Sequence, residues 1–244
     1  MIIDVAAFLD EFSALASARG FTARCLCETA AGPVMAWERL GDEPAVYISA
    51  GMHGDEPAGP LAVLELLKEG AFYGGPCILC PLLNPTGIEA GTRENAEGID
   101  LNRDYWMRRT EEVRTHAEWL ETLPCPRIFL SLHEDWESSG FYFYEINLGE
   151  DQPDRAAAIF ESVAPWFPRE PEALIDGHEI REAGWIYHAA EADLPDDWPE
   201  AIFLAKHGCP LSFTYETPSA MDLDARVAAH VAAVKAAIHF HRTL

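Results

Sequence analysis

Apolar residues at Val5, Phe8, Leu9, Phe12, Leu15 and Ala16 recur at helical spacing with acids between them, which predicts an amphipathic helix within residues 1–20. The period then changes. Residues 21–29 and 32–40 read as two strands joined by a turn at Ala31-Gly32-Pro33, and the apolar run 45–51 as a third. Helical spacing returns over 57–69, with Pro57 tolerated in the first turn. A buried strand over 77–83 leads into residues 84–106, a polar and charged stretch without periodicity, and compact domains usually keep so long an irregular segment for function. Further on, the pattern gives a helix over 109–122, strands over 127–135 and 140–147, a helix over 154–166 and a variable loop to about 197. A helix over 198–207, a last strand over 210–217 and a closing helix capped by Asp222 or Asp224 complete the order. This alternation predicts an α/β three-layer sandwich with a mixed, mostly parallel central sheet flanked by helices.

Composition sets bounds on that picture. With 244 residues, 49% of them hydrophobic, the chain can bury a substantial core, and a single domain over 1–244 is expected. No apolar run approaches a membrane span, and the opening stretch lacks the basic start of an export signal, so a soluble, cytoplasmic protein is expected. The net charge of -24 repels nucleic acid and anionic membranes, leaving neither as an expected partner. Six cysteines stand mostly in strand-like apolar runs and read as free thiols filling core space; Cys77 and Cys80 have Cys-x-x-Cys spacing but no second pair or nearby histidine to make a metal or redox site.

The chemistry is concentrated at predicted strand ends. His53 and Glu56 lie three apart in a glycine-flanked turn between the third strand and the next helix, and imidazole with carboxylate suits zinc. A catalytic zinc needs a third protein ligand, and His133, at the end of the strand over 127–135, fits. Open α/β sheets bind ligands at the carboxyl ends of their strands, which would bring these three to one rim. Glu216 closes the last strand, where a general base would stand beside a metal-activated water. The histidines on helices, His116, His230, His239 and His241, read by default as packing or solvent-facing; His178, His188 and His207 stay open.

Taken in order, His-Gly-Asp-Glu at 53–56, the segment 91–105, Ser-Leu-His-Glu-Asp at 131–135 and Thr-Tyr-Glu at 214–216 resemble the zinc carboxypeptidase (M14-like) family, particularly its short bacterial members that act on small peptides. The match runs from about residue 45 to the closing helix. The resemblance implies one zinc ion per chain on His53, Glu56 and His133, and Glu216 as the catalytic glutamate. It further implies that Arg93 polarises the scissile carbonyl, that Asn102 and Arg103 hold a terminal carboxylate, and that Asp100 orients the first histidine. By the same resemblance Tyr187 is a candidate to cap the substrate. The implied reaction is hydrolysis of the C-terminal amide bond of a small peptide: water activated by zinc attacks, and Glu216 takes its proton and returns it to the leaving amine. Arg103 offers a planar fork suited to a carboxylate. Acidic Glu134, Asp135, Glu137 and Asp193 leave room for a pocket that takes Lys, Arg or a diamino acid.

Two other functions compete. An N-acyl amino acid deacylase of the succinylglutamate desuccinylase or aspartoacylase kind resembles the same zinc site; those relatives generally carry a further C-terminal β-rich domain, and the closing helix soon after Glu216 argues for the peptidase. A binding module that has lost catalysis fits less well, because every expected ligand and the base are present. Side-chain preference and oligomeric state leave no mark in the sequence.

Overall fold

The computed structural model describes residues 3–43, 45–72 and 75–242; Met1, Ile2, Thr243 and Leu244 of the terminal stretches lie outside the described residues. In chain order the elements are α1 (Val5–Ala18), β1 (Thr22–Thr29), β2 (Gly32–Arg39), β3 (Val46–Ala50), α2 (Ala58–Glu69), β4 (Cys77–Cys80) and α3 (Pro85–Ala90). After a 3-10 turn at Leu101–Arg103 come α4 (Glu111–Glu121), β5 (Ile128–Asp135), β6 (Tyr142–Asn147) and α5 (Pro153–Val163). The last third holds β7 (Leu174–Ile175), β8 (His178–Glu179), β9 (Trp185–Tyr187), α6 (Glu200–Lys206), β10 (Leu211–Pro218) and α7 (Leu223–Arg242). The polar stretch after β4 is thus less irregular than its sequence, since Asn84 caps α3 through Gly87 N and Asp100 caps the 3-10 turn through Asn102 N. Asp222, not Asp224, starts the closing helix by accepting from Ala225 N.

Eight strands pair in the order β1-β2-β4-β3-β5-β10-β6-β9. The pairs β3–β4, β3–β5, β5–β10 and β6–β9 are parallel, and β1–β2, β2–β4 and β6–β10 antiparallel. The sheet is therefore mixed, with β4, β3, β5 and β10 parallel at the centre and a short parallel pair, β6–β9, at one edge, as the alternation of elements predicts. Strand alternation sends Val46, Ile48, Ile128, Leu130, Leu132, Phe213 and Tyr215 to one face, where they pack with apolar residues of α1, α2, α5 and α7. Tyr47, Phe129, Ile78 and Cys80 face the other way, against α4 and α6. Helices on both faces of one sheet make the three-layer sandwich.

The second face changes character along its length. Where α4 and α6 cover it, a closed polar chain runs through the core: Tyr105 donates to His116 Nδ1 at 2.8 Å, His116 Nε2 meets Tyr47 Oη at 2.9 Å, and Tyr47 and Ser49 (2.7 Å) both donate to the Glu200 carboxylate. Burial holds the His116 pKa down at about 3, so the ring is neutral and can donate from one nitrogen and accept at the other. His116 is thus the hub of a network joining β3, α4 and α6, beyond the packing role read from its place on a helix. Past α6, rows of small or polar side chains line the same face: Ser131 beside Thr214 beside Tyr144, then His133 beside Glu216 beside Tyr142. Serine and threonine fill too little space to meet a covering helix, and a cavity of about 570 Å³ opens over them. Four cysteines are buried as expected, whereas Cys25 and Cys125 are exposed, Cys25 on an edge strand and Cys125 in the turn before β5.

Candidate active site

His53 leaves β3 through a turn that its glycines shape. Gly51 sits at φ +62°, a left-handed conformation that side chains disfavour. Gly54 lies flat against α3, and a Cβ on it would come within 1.8 Å of the Gly87 carbonyl carbon. The chain can turn this tightly only without a side chain there, and Gly54 N donates to Thr92 O at 2.9 Å to fix it. Glu56 ends the turn at the start of α2, and Pro57 takes the cap position ahead of the helix. His133 arrives independently, near the end of β5, and Glu216 on β10 is its direct partner in the parallel register.

The three candidate ligands converge. Glu56 lies 2.6 Å from His53 Nδ1 and 2.9 Å from His133 Nδ1, and the two ring nitrogens are 3.2 Å apart. All three residues are buried. On its far side His53 presents Nε2 to Asp100 at 3.1 Å. A proton held there leaves Nδ1 with a lone pair aimed at Glu56 and His133. Two imidazole lone pairs and a carboxylate crowded into this space repel one another unless a cation stands among them, and His₂Glu is a donor set suited to zinc. The electrostatics agree: burial pulls the His53 pKa down, but Glu56 and Asp100 outweigh it and bring it to about 9, so positive charge is favoured at this point. Burial likewise works to raise the Glu56 pKa, yet His53 and His133 hold it well below the usual carboxylate range.

Around this centre stand the other expected residues. Arg93 donates through Nε to Asp100 at 3.0 Å and brings Nη1 to 3.3 Å from His53 Nδ1 and 3.6 Å from Glu56. Asn102 is fixed by a helix start: its Oδ1 accepts from Glu200 N at 3.0 Å, and its backbone N donates to Asp100 at 2.8 Å. Arg103, next along the 3-10 turn, donates to Asn102 O at 2.9 Å and lines the cavity with Asn102 and Arg93. Glu216 is enclosed on the same face; burial first, and then the neighbouring charges of Glu56, Asp135 and Asp176, push its pKa well above the ordinary carboxylate value.

Two expectations fare differently. Tyr187 does not line the cavity. It pairs with Glu145 across β6–β9, and strand alternation puts both on the sheet face opposite Tyr142 and Tyr144; the Tyr187 ring packs beneath the Arg181 guanidinium instead. Glu134 does border the cavity, but its carboxylate is committed elsewhere, accepting from Ala58 N at 2.6 Å and pairing with Arg226 of α7. In its place the cavity gains residues that motif reading passed over: Tyr142, bonded to Asp135 at 3.1 Å, and Tyr144, bonded to Asp176 at 2.9 Å. The alternating run Tyr-Phe-Tyr-Glu-Ile-Asn of β6 held the signal, since its tyrosines share a face with Glu216. His178 and His188 also reach this cavity.

This architecture is the zinc carboxypeptidase fold, with a His-Glu-His cluster that could hold a metal at the rim of its sheet. Residues 42–239 match the succinylglutamate desuccinylase/aspartoacylase catalytic domain, and the chain belongs to that family. Among curated relatives, a succinylglutamate desuccinylase of Burkholderia thailandensis is 38% identical over 139 residues, 50% of this chain and 37% of the relative. Murein peptide amidase A of Escherichia coli K12 is 34% identical over 74 residues, 30% of each chain. The alignments therefore span about a third of these relatives' lengths. Among solved structures, a protein of Shewanella denitrificans assigned provisionally to the metallopeptidases superposes with a TM-score of 0.84 at 27% identity, covering 97% of this chain and 90% of the other. A metallo-carboxypeptidase of Burkholderia cenocepacia shares the fold at a TM-score of 0.69 and 22% identity, covering 98% and 68%. No helix among the described residues is long and apolar enough to cross a membrane.

Proposed function

We propose that the protein is a zinc-dependent exopeptidase that hydrolyses the C-terminal amide bond of small peptides. The observation that carries this reading is the distribution of charge in the cavity. Arg93, Arg103 and the Asn102 amide gather about Asp100, whereas Asp135, Glu137, Asp176, Asp193 and Asp197 line other parts of the wall. Such a cavity accommodates one free carboxylate at the arginines and disfavours a substrate bearing several.

When bound at His53, Glu56 and His133, zinc supplies Lewis acidity and lowers the pKa of a water toward ~7. The protein does the rest. Asn102 and Arg103 hold the terminal carboxylate, with Arg103 as the charge-assisted partner. Arg93 donates to the carbonyl oxygen as negative charge develops on it. Glu216 accepts a proton from the attacking water and delivers it to the leaving amine. Asp100 keeps the His53 lone pair on the metal side.

A second reading, deacylation of an N-acyl amino acid, is favoured by the 38% identity to a succinylglutamate desuccinylase. The two are separated by offering short peptides with free or amidated C-termini alongside N-succinyl and N-acetyl amino acids, and identifying products by mass. Trimming of free but not amidated peptides, with the preference reduced in Arg103→Ala, is the expected result. Turnover confined to N-acyl amino acids would replace the peptidase by the deacylase; equal cleavage of free and amidated peptides would remove Asn102 and Arg103 from carboxylate binding.

A further inference from the structure

Apart from His53, Glu56 and His133, another group of potential ligands lines the same cavity. His178, His188 and Asp193 each offer an atom within 4.8 Å of the others. His178 Nε2 lies 3.3 Å from Asp193 Oδ2, and His188 Nε2 3.7 Å from Asp193 Oδ1. Local structure aims both rings. The β7–β8 hairpin turns through Asp176 and Gly177, both at positive φ (48° and 81°), the pattern of a type I′ turn that places His178 at the start of β8. Tyr144 holds this turn by donating to Asp176, and its ring meets both imidazoles edge-on, with centroids at 5.5 and 6.0 Å. His188 Nδ1 donates to Ala189 O at 2.6 Å, which leaves the Nε2 lone pair facing Asp193. The imidazoles stand 4.7 Å apart at 68°, neither stacked nor hydrogen-bonded to one another.

We propose that His178, His188 and Asp193 form a second divalent transition-metal site, zinc-like in its His₂Asp donor set, that pins the β7–β8 turn to the loop after β9 and so sets the outer wall of the cavity. Both histidines are partly buried and Asp193 is 68% exposed in its side chain, so the ion would keep open coordination positions on the solvent side. The segment from Leu174 to Asp197 holds only three strands of two or three residues, and a cation gives it the cross-link its small apolar content does not.

The test is metal stoichiometry. Protein freed of metal and dialysed against micromolar zinc should carry two ions per chain by elemental analysis. Replacing His178 and His188 together by Ala should remove one and leave the other, as should His53→Ala with His133→Ala. Asp193→Asn, the mildest change, should weaken the second ion at least tenfold while its circular dichroism stays that of the parent. Limited proteolysis within 174–197 should quicken in the His178/His188 variant and in metal-free parent alike. A parent that binds one ion, lost entirely with His53 and His133, overturns the second site and leaves the first intact. Two ions unaffected by His178, His188 or Asp193 overturn it as well.

Discussion

Asp100 shows how much one side chain can organise. One oxygen receives His53 and the backbone N of Asn102, while the other receives the guanidinium of Arg93. Burial works to raise its pKa, but His53, Arg93 and Arg103 keep it well below the ordinary value, so it stays ionised at any working pH. Asp100→Asn should therefore lower zinc affinity by roughly 10- to 100-fold, the range for partners that orient a ligating histidine, and titration with a chelator would reveal it; unchanged affinity would reduce Asp100 to a turn cap. Glu216 makes the complementary case. Glu216→Gln keeps the shape and the neighbours, so metal content and melting temperature should hold while turnover drops by roughly 10²- to 10⁴-fold. His53, Glu56, His133 and Glu216 stood out in the sequence because each lies at or just past the carboxyl end of a mainly apolar strand, where a polar side chain falls at the sheet's rim. Tyr187 rested on resemblance alone, and a tyrosine on a three-residue strand can face either way; its pairing with Glu145 puts it on the face away from the cavity.

Among the elements, the turn between β3 and α2 is the least forgiving. Gly54→Ala would drive a methyl group into the backbone of α3, which no side-chain rotation relieves. A loss of about 3 kcal/mol, the upper end for overpacking, is expected in denaturant unfolding, together with loss of metal, because His53 and Glu56 flank the residue that must move. Parent-like stability would mean that α3 yields more readily than its contacts imply. Helices and long strands were readable from periodicity to within a few residues of their ends. The stretch over 84–106 was not, because α3 and the 3-10 turn are held by side-chain caps from Asn84 and Asp100 and not by an apolar face. The segment over 168–199 was opaque for a related reason: β9 is placed by hydrogen bonds to β6 and Trp198 by its bridge to Asp104, which connect residues far apart in sequence, while β7 and β8, two residues each, pair only with one another among the described residues.

At the scale of the whole molecule, the buried network around Glu200 should set part of the pH response. Burial lifts this carboxyl to about 7 despite the hydroxyls of Tyr47 and Ser49. Between its unfolded value near 4.5 and 7 the folded protein keeps a proton that the unfolded chain has released, so the stability it contributes is full below 4.5 and is lost as pH rises through 7. Glu200→Gln cannot titrate. Relative to the parent, the variant should gain roughly 3 kcal/mol between pH 4.5 and 7, read as a parent-minus-variant difference in urea midpoints; a difference that does not vary with pH would show that the carboxyl titrates normally. The same molecule keeps its working parts in separate accounts of sequence. The candidate metal ligands come from the ends of two central parallel strands, β3 and β5, while much of the outer wall of the cavity is supplied by the 174–197 segment and the start of α6. A substitution at His178, Asp193 or Asp197 therefore alters the shape and charge of the cavity without touching the turn that carries His53 and Glu56 or the strand that carries His133.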